Sequence, residues 1–135
     1  MTVKLNTRKN QLTEKVTMHV VNNGNEPVKN LLVRNIANGV LKYDHQHFKI
    51  AKNAKTTVKS ISSAGENLSY TTGKDKSNLF VDKSLNAGES TDLTVNVVTS
   101  VPKRQDRFGY QNINGGKVYN LSFCFPYLSD YRNGK

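Results

Sequence analysis

An all-β domain, either an antiparallel β-sandwich or a saddle-like β structure with few or no helices, is predicted by three observations. Apolar residues recur with period two, most clearly where Leu93, Val95, Val97, Thr99 and Val101 alternate with Asp92, Thr94, Asn96, Val98 and Ser100. Turn signals built on Gly, Asn and Pro punctuate the chain at spacings of about 8 to 12 residues. No segment longer than about ten residues carries the i, i+3, i+4, i+7 spacing of an amphipathic helix.

Taken in order, residues 1–10 alternate weakly, with Val3 and Leu5 on one face, and predict a short edge strand. Lys4, Arg8 and Lys9 suit an edge that must not pair with neighbours. Residues 14–22 form the first well-defined strand, with Val16, Met18 and Val20 on one face and Lys15, Thr17, His19 and Val21 on the other. The run Asn22-Asn23-Gly24-Asn25-Glu26-Pro27 ends it. Residues 28–36 resume as a second strand, expected to pair antiparallel with the first because so short a turn suits a hairpin and not a parallel crossover.

Residues 40–54 lose clear periodicity, and Leu41, Tyr43, Phe48 and Ile50 anchor them. Residues 56–62 predict another strand, in which Val58 and Ile61 are out of strict phase. After a turn at residues 63–67, short strands at 68–71 and 78–81 flank a polar loop. A turn at residues 86–90 leads into the alternating strand at 91–101. Roughly six to nine strands in a single domain follow from this spacing.

The chain has 135 residues, enough for one core without staples. A hydrophobic fraction of 36% is low, so the core is expected to be thin, as between two β layers. Its 20 basic and 10 acidic residues give a net charge of +10. That excess invites a polyanion partner, but Lys and Arg are scattered singly, which reads as a basic soluble face and disfavours nucleic acid. The single Cys excludes an internal disulfide and any multi-cysteine zinc site. No apolar run is long enough to span a membrane as a helix. The ending at Tyr131-Arg-Asn-Gly-Lys135 reads as a piece excised from a longer protein.

Chemistry is sparse. His45 and His47 share a strand face and could grip a metal, but no convincing third ligand accompanies them, and an exposed polar loop is the better account. The 10 carboxylates form no acid/base pair in sequence, and most sit in or beside turns. Gly115-Gly116 lacks the lysine of a phosphate loop. The chain by itself is therefore expected to bind or support and not to catalyse.

Residues 104–131 are the most distinctive stretch, holding most of the chain's Phe and Tyr residues and its only Cys. A Leu85-Asn-Ala-Gly-Glu turn, the strand to Val101, Arg107-Phe108-Gly109-Tyr110, a Gly-containing gap, Val118-Tyr119-Asn120-Leu121 and Phe125-Pro126-Tyr127-Leu128 follow one another. This order resembles the end of the N-terminal β domain of bacterial M1-type, aminopeptidase N-like zinc metallopeptidases. Residues 16–36 are similar to that domain's opening hairpin, and residues 61–70 to a further segment of it. Ser122-Phe123-Cys124-Phe125 departs from the family's Gly-Asn-Trp-Tyr.

The resemblance implies a non-catalytic domain that packs on the catalytic domain of the same polypeptide and borders its substrate cleft. Peptide substrate would be met only through that domain, which would also hold the zinc; no cofactor is expected in this chain. Tyr110, Tyr119, Phe123, Phe125 and Tyr127 would form either a core closure or the docking surface, and Asn120 is the nearest candidate for contact with the substrate's amino terminus. By strand alternation alone, Asn120 reads instead as an outward strand residue. The alternative function is a bacterial cell-surface immunoglobulin-like spacer or adhesion module, which favours a cell-surface or extracellular location. A third is a basic β module for anionic polymers.

Overall fold

The computed structural model describes residues 1–35, 55–74, 77–101, 103, 108–121 and 126–128. All their regular structure is β, as predicted, in antiparallel sheets. The strands are β1 (Thr2–Asn6), β2 (Gln11–Val21), β3 (Leu31–Arg34), β4 (Thr56–Ser63), β5 (Glu66–Asn67), β6 (Tyr70–Thr72), β7 (Asn78–Val81), β8 (Ser90–Ser100), β9 (Phe108–Ile113), β10 (Gly116–Leu121) and β11 (Tyr127–Leu128). Two of these are two-residue pieces among eleven described strands, more than the six to nine expected.

One sheet has the order β1-β2-β8-β4-β5, a second β11-β3-β7-β6, and β9 with β10 forms a separate hairpin. Side chains from both larger sheets meet in one core. Val20, Ile61, Leu93, Val95 and Val97 come from the first sheet, and Leu31, Val33, Leu79 and Val81 from the second, with Leu85 beside them. The alternation in β8 is what makes this possible: Leu93, Val95, Val97 and Thr99 are all buried on one face.

β2 and β8 pair without interruption from Gln11↔Ser100 to Val21↔Ser90. Their outward face is tied by Thr17 Oγ1 to Thr94 Oγ1 at 3.1 Å and by His19 Nδ1 to Asp92 Oδ1 at 2.7 Å. On the inward side of β4, Thr56 and Thr99 join hydroxyls at 2.6 Å.

The second predicted strand requires a correction. β3 does not pair with β2; it lies in the opposite sheet between β11 and β7. The residues after β2 carry the chain across the sandwich, and Asn22 holds that crossing. Its Nδ2 donates to Glu26 O at 2.9 Å and Leu85 O at 3.1 Å, while Gly24 N donates to its Oδ1 at 3.0 Å. Val28 and Leu85 then exchange backbone hydrogen bonds of 2.8 and 2.9 Å.

The phase error at Val58 and Ile61 has a local cause. The β4–β8 register shifts between Val58↔Val97 and Ser60↔Asn96, so Lys59 is an extra, bulged residue. The bulge lets Val58 and Ile61, three apart, both meet inward residues of β8. The aperiodic stretch at 40–54, with His45 and His47, lies outside the described residues.

Candidate functional site

The hairpin β9–β10 carries the described part of the aromatic segment. Asn114 and Gly115, at φ 49° and 79°, are both left-handed, which makes the two-residue turn whose twist matches antiparallel strands. The register then sets Tyr110 opposite Tyr119, with Lys117 two residues along the same face. The tyrosine rings lie 5.6 Å apart at 32°, and the Lys117 ammonium sits 5.4 Å from the centre of the Tyr110 ring.

This face leans on the turn between β1 and β2. Lys117 Nζ donates to Thr7 O at 2.5 Å and to Asn10 Oδ1 at 3.0 Å, and Tyr119 OH donates to the same Asn10 oxygen at 2.7 Å. Asn10 can offer that oxygen because it takes a left-handed φ of 51° at the turn, while its own carbonyl accepts from Val101 N at 2.8 Å. Desolvation pushes the Tyr119 phenol above its ordinary value, and the neighbouring Tyr110 adds to the rise. Tyr119 is therefore a neutral donor here.

Tyr110 and Tyr119, both half-buried, are the two predicted docking residues that the structure visibly brings together. Asn120 stands in β10 opposite Gly109, and Tyr127 in β11 opposite Arg34. Phe123, Phe125 and Cys124 lie outside the described residues. The hairpin itself was legible from Asn114-Gly115, a strong two-residue turn signal that sequence reasoning passed over as a gap.

Two separate buried polar side chains were not anticipated at all. Glu14 points inward from β2, opposite Val3 on β1 and Val97 on β8, and is 1% exposed. Neither carboxylate oxygen has a hydrogen-bond partner, and burial pushes the group up to about 7. Asn35, fully buried just past β3, likewise has a side-chain amide without a partner, although its backbone N donates to Ser77 O at 2.6 Å. The available signal was parity: Glu14 shares the face of Val16, Met18 and Val20.

On the outward face of the second sheet, Phe80 is 42% exposed beside Leu32, its register partner on β3. Arg34 and Asn78 are register partners on that face, and each holds one buried polar atom without a partner, Nε and Oδ1 respectively.

These arrangements can bind through apolar, aromatic and cationic groups. Among the described residues, no three of His, Cys, Asp and Glu gather into a metal-holding set, and no helix is long and apolar enough to cross a membrane. Comparison with protein-family models, with curated proteins and with solved structures returned no match.

Proposed function

We propose that the chain is a non-catalytic, immunoglobulin-like β-sandwich module of the bacterial cell-surface kind, serving as a spacer or adhesion unit. The observation that carries this is the strand order β1-β2-β8-β4. Two strands enter one sheet, the chain crosses to the other, β4 returns to the first, the chain crosses again through β6 and β7, and β8 then comes back between β2 and β4. This order is similar to the A-B-E-D sheet of an immunoglobulin-like sandwich, with β3 and β11 where strands C and F would stand, and it departs from that plan in β6 and β7, which lie between β4 and β8 in the chain and extend the opposite sheet. Uninterrupted pairing of β2 with β8 and the side-chain hydrogen bonds across it suit a module that must stay folded under load.

The isolated chain tests this reading. A spacer is expected to unfold in urea in one cooperative transition with no partner present. A chain that folds only when a partner domain is added would refute it. The sequence flanking these residues in the natural polypeptide is equally discriminating, since further one-sided β modules or a surface anchor support the spacer.

A second reading, the N-terminal β domain of an M1-type zinc metallopeptidase, draws on the half-exposed pair Tyr110 and Tyr119 in the segment that resembles that family. Under it, these residues with Phe123, Phe125 and Tyr127 dock on a zinc-bearing catalytic domain, and Asn120 borders the substrate. An HExxH motif downstream in the same polypeptide is its expected companion, and a flanking sequence of further β modules would remove it.

A further inference from the structure

β1 is the outermost strand of its sheet, and every residue from Thr2 to Asn6 is exposed. Its outer edge pairs with no described strand, so among the described residues the N–H and C=O groups along that edge are a template for another extended backbone. On the inward face, Val3 stands opposite Glu14 and Leu5 opposite Leu12. Their β2 partners are buried, yet Val3 is 41% and Leu5 40% exposed, so the apolar interior runs out to a partly exposed rim at this edge.

The charge around the rim has one sign. Lys4, Arg8, Lys9 and Lys15 are all exposed, and between residues 1 and 25 the sole acidic residue is Glu14, which is buried. Lys4 and Lys15 project from the outward face as diagonal neighbours on β1 and β2. A second copy of the chain would set these cations against their own equivalents, which selects against self-pairing. An acidic strand meets no such penalty.

We propose that β1 is the docking edge for an extended acidic peptide segment, which adds a strand to the sheet, lays alternate apolar side chains over Val3 and Leu5 and turns its carboxylates toward Lys4 and Lys15. Main-chain hydrogen bonds supply affinity, and the alternation of apolar and acidic positions supplies selectivity. The proposal goes beyond a spacer or adhesion role and does not depend on it.

The test is a titration of the isotope-labelled full chain, followed by amide resonances, with a blocked peptide of about seven residues alternating Val and Glu. A matched peptide alternates Val and Lys. Shifts centred on Thr2 to Asn6, affinity at least about tenfold higher for the acidic peptide, and weakening with added salt are expected. N-methylation of alternate peptide amides should abolish the shifts. The double variant Lys4→Glu, Lys15→Glu, altered only at exposed positions, should reverse the charge preference.

The absence of shifts at millimolar peptide, shifts centred on another edge, equal affinity for both peptides, or binding that survives N-methylation would each overturn the proposal. So would a polyphosphate that moves the same amides as strongly at equal charge, since the rim would then be a polyanion surface and not a strand-docking edge.

Discussion

Glu14 is a carboxylic acid placed where a strand's parity demands an apolar residue. Its ordinary value is 4.5, and burial raises it to about 7 in the fold. Between those values the native state keeps a proton that the unfolded chain has released, so stability falls as pH rises and the loss is complete above the folded value. The shift corresponds to roughly 3 kcal/mol. Glu14→Gln, a neutral near-isostere, is expected to leave stability at about pH 4 little changed and to raise it at about pH 8.5 by about 3 kcal/mol. Urea unfolding at both pH values checks this, and a slope surviving in the variant would place its source elsewhere. Asn22 is the opposite case, a buried polar side chain whose groups are satisfied by Glu26 O, Leu85 O and Gly24 N. Asn22→Ala removes all three bonds, although Leu85 O keeps the one from Val28 N, and is expected to cost about 1–2 kcal/mol in the same assay. Sequence reasoning marked Asn22 as a turn residue but could not see its reach to Leu85, 63 positions away.

At the scale of elements, the bulge in β4 makes two deletions that look equivalent in sequence behave differently. Removing Lys59 deletes the unpaired residue and leaves Val58 opposite Val97 and Ile61 opposite Val95. Removing Asn96 from β8 shifts one half of that strand to the wrong face against both β2 and β4. The first deletion is expected to cost less than about 1.5 kcal/mol, and the second to abolish cooperative unfolding, as monitored by thermal melts. The turn between β4 and β5 offers a gain. Ala64 holds φ at 53° ahead of Gly65 at 79°, a left-handed pair that Asn-Gly fills at lower cost. Ala64→Asn is expected to add about 0.5–1 kcal/mol, read as a higher urea midpoint with an unchanged slope. Both features left traces in the sequence: the turn through Gly65, and the bulge through the phase error at Val58 and Ile61. A phase error shows that a residue is extra without showing which one.

At the scale of the molecule, the two larger sheets share one core, so they should lose stability together. Leu93 is fully buried in β8 and packs in the cluster that holds Leu31, Val33, Leu79 and Val81 of the other sheet. Leu93→Ala is expected to cost about 2–5 kcal/mol. Amide exchange protection should fall by the same amount in β2 and β8 as in β3 and β7, whereas a loss confined to one sheet would mean two separately stable layers. The sequence by itself determined the all-β class, the strands β2, β7 and β8, the faces that β2 and β8 bury, and the turns around Gly65 and Gly88, because periodicity and turn chemistry are local properties of neighbouring residues. Only the tertiary structure decided that β3 crosses to the second sheet, that Tyr119 spends its hydroxyl on Asn10, and that β1 is left with an apolar rim among cations. Each of these depends on which strand comes to lie beside which across long separations. A period of two says which side of a strand is apolar, but it carries no information about what covers that side.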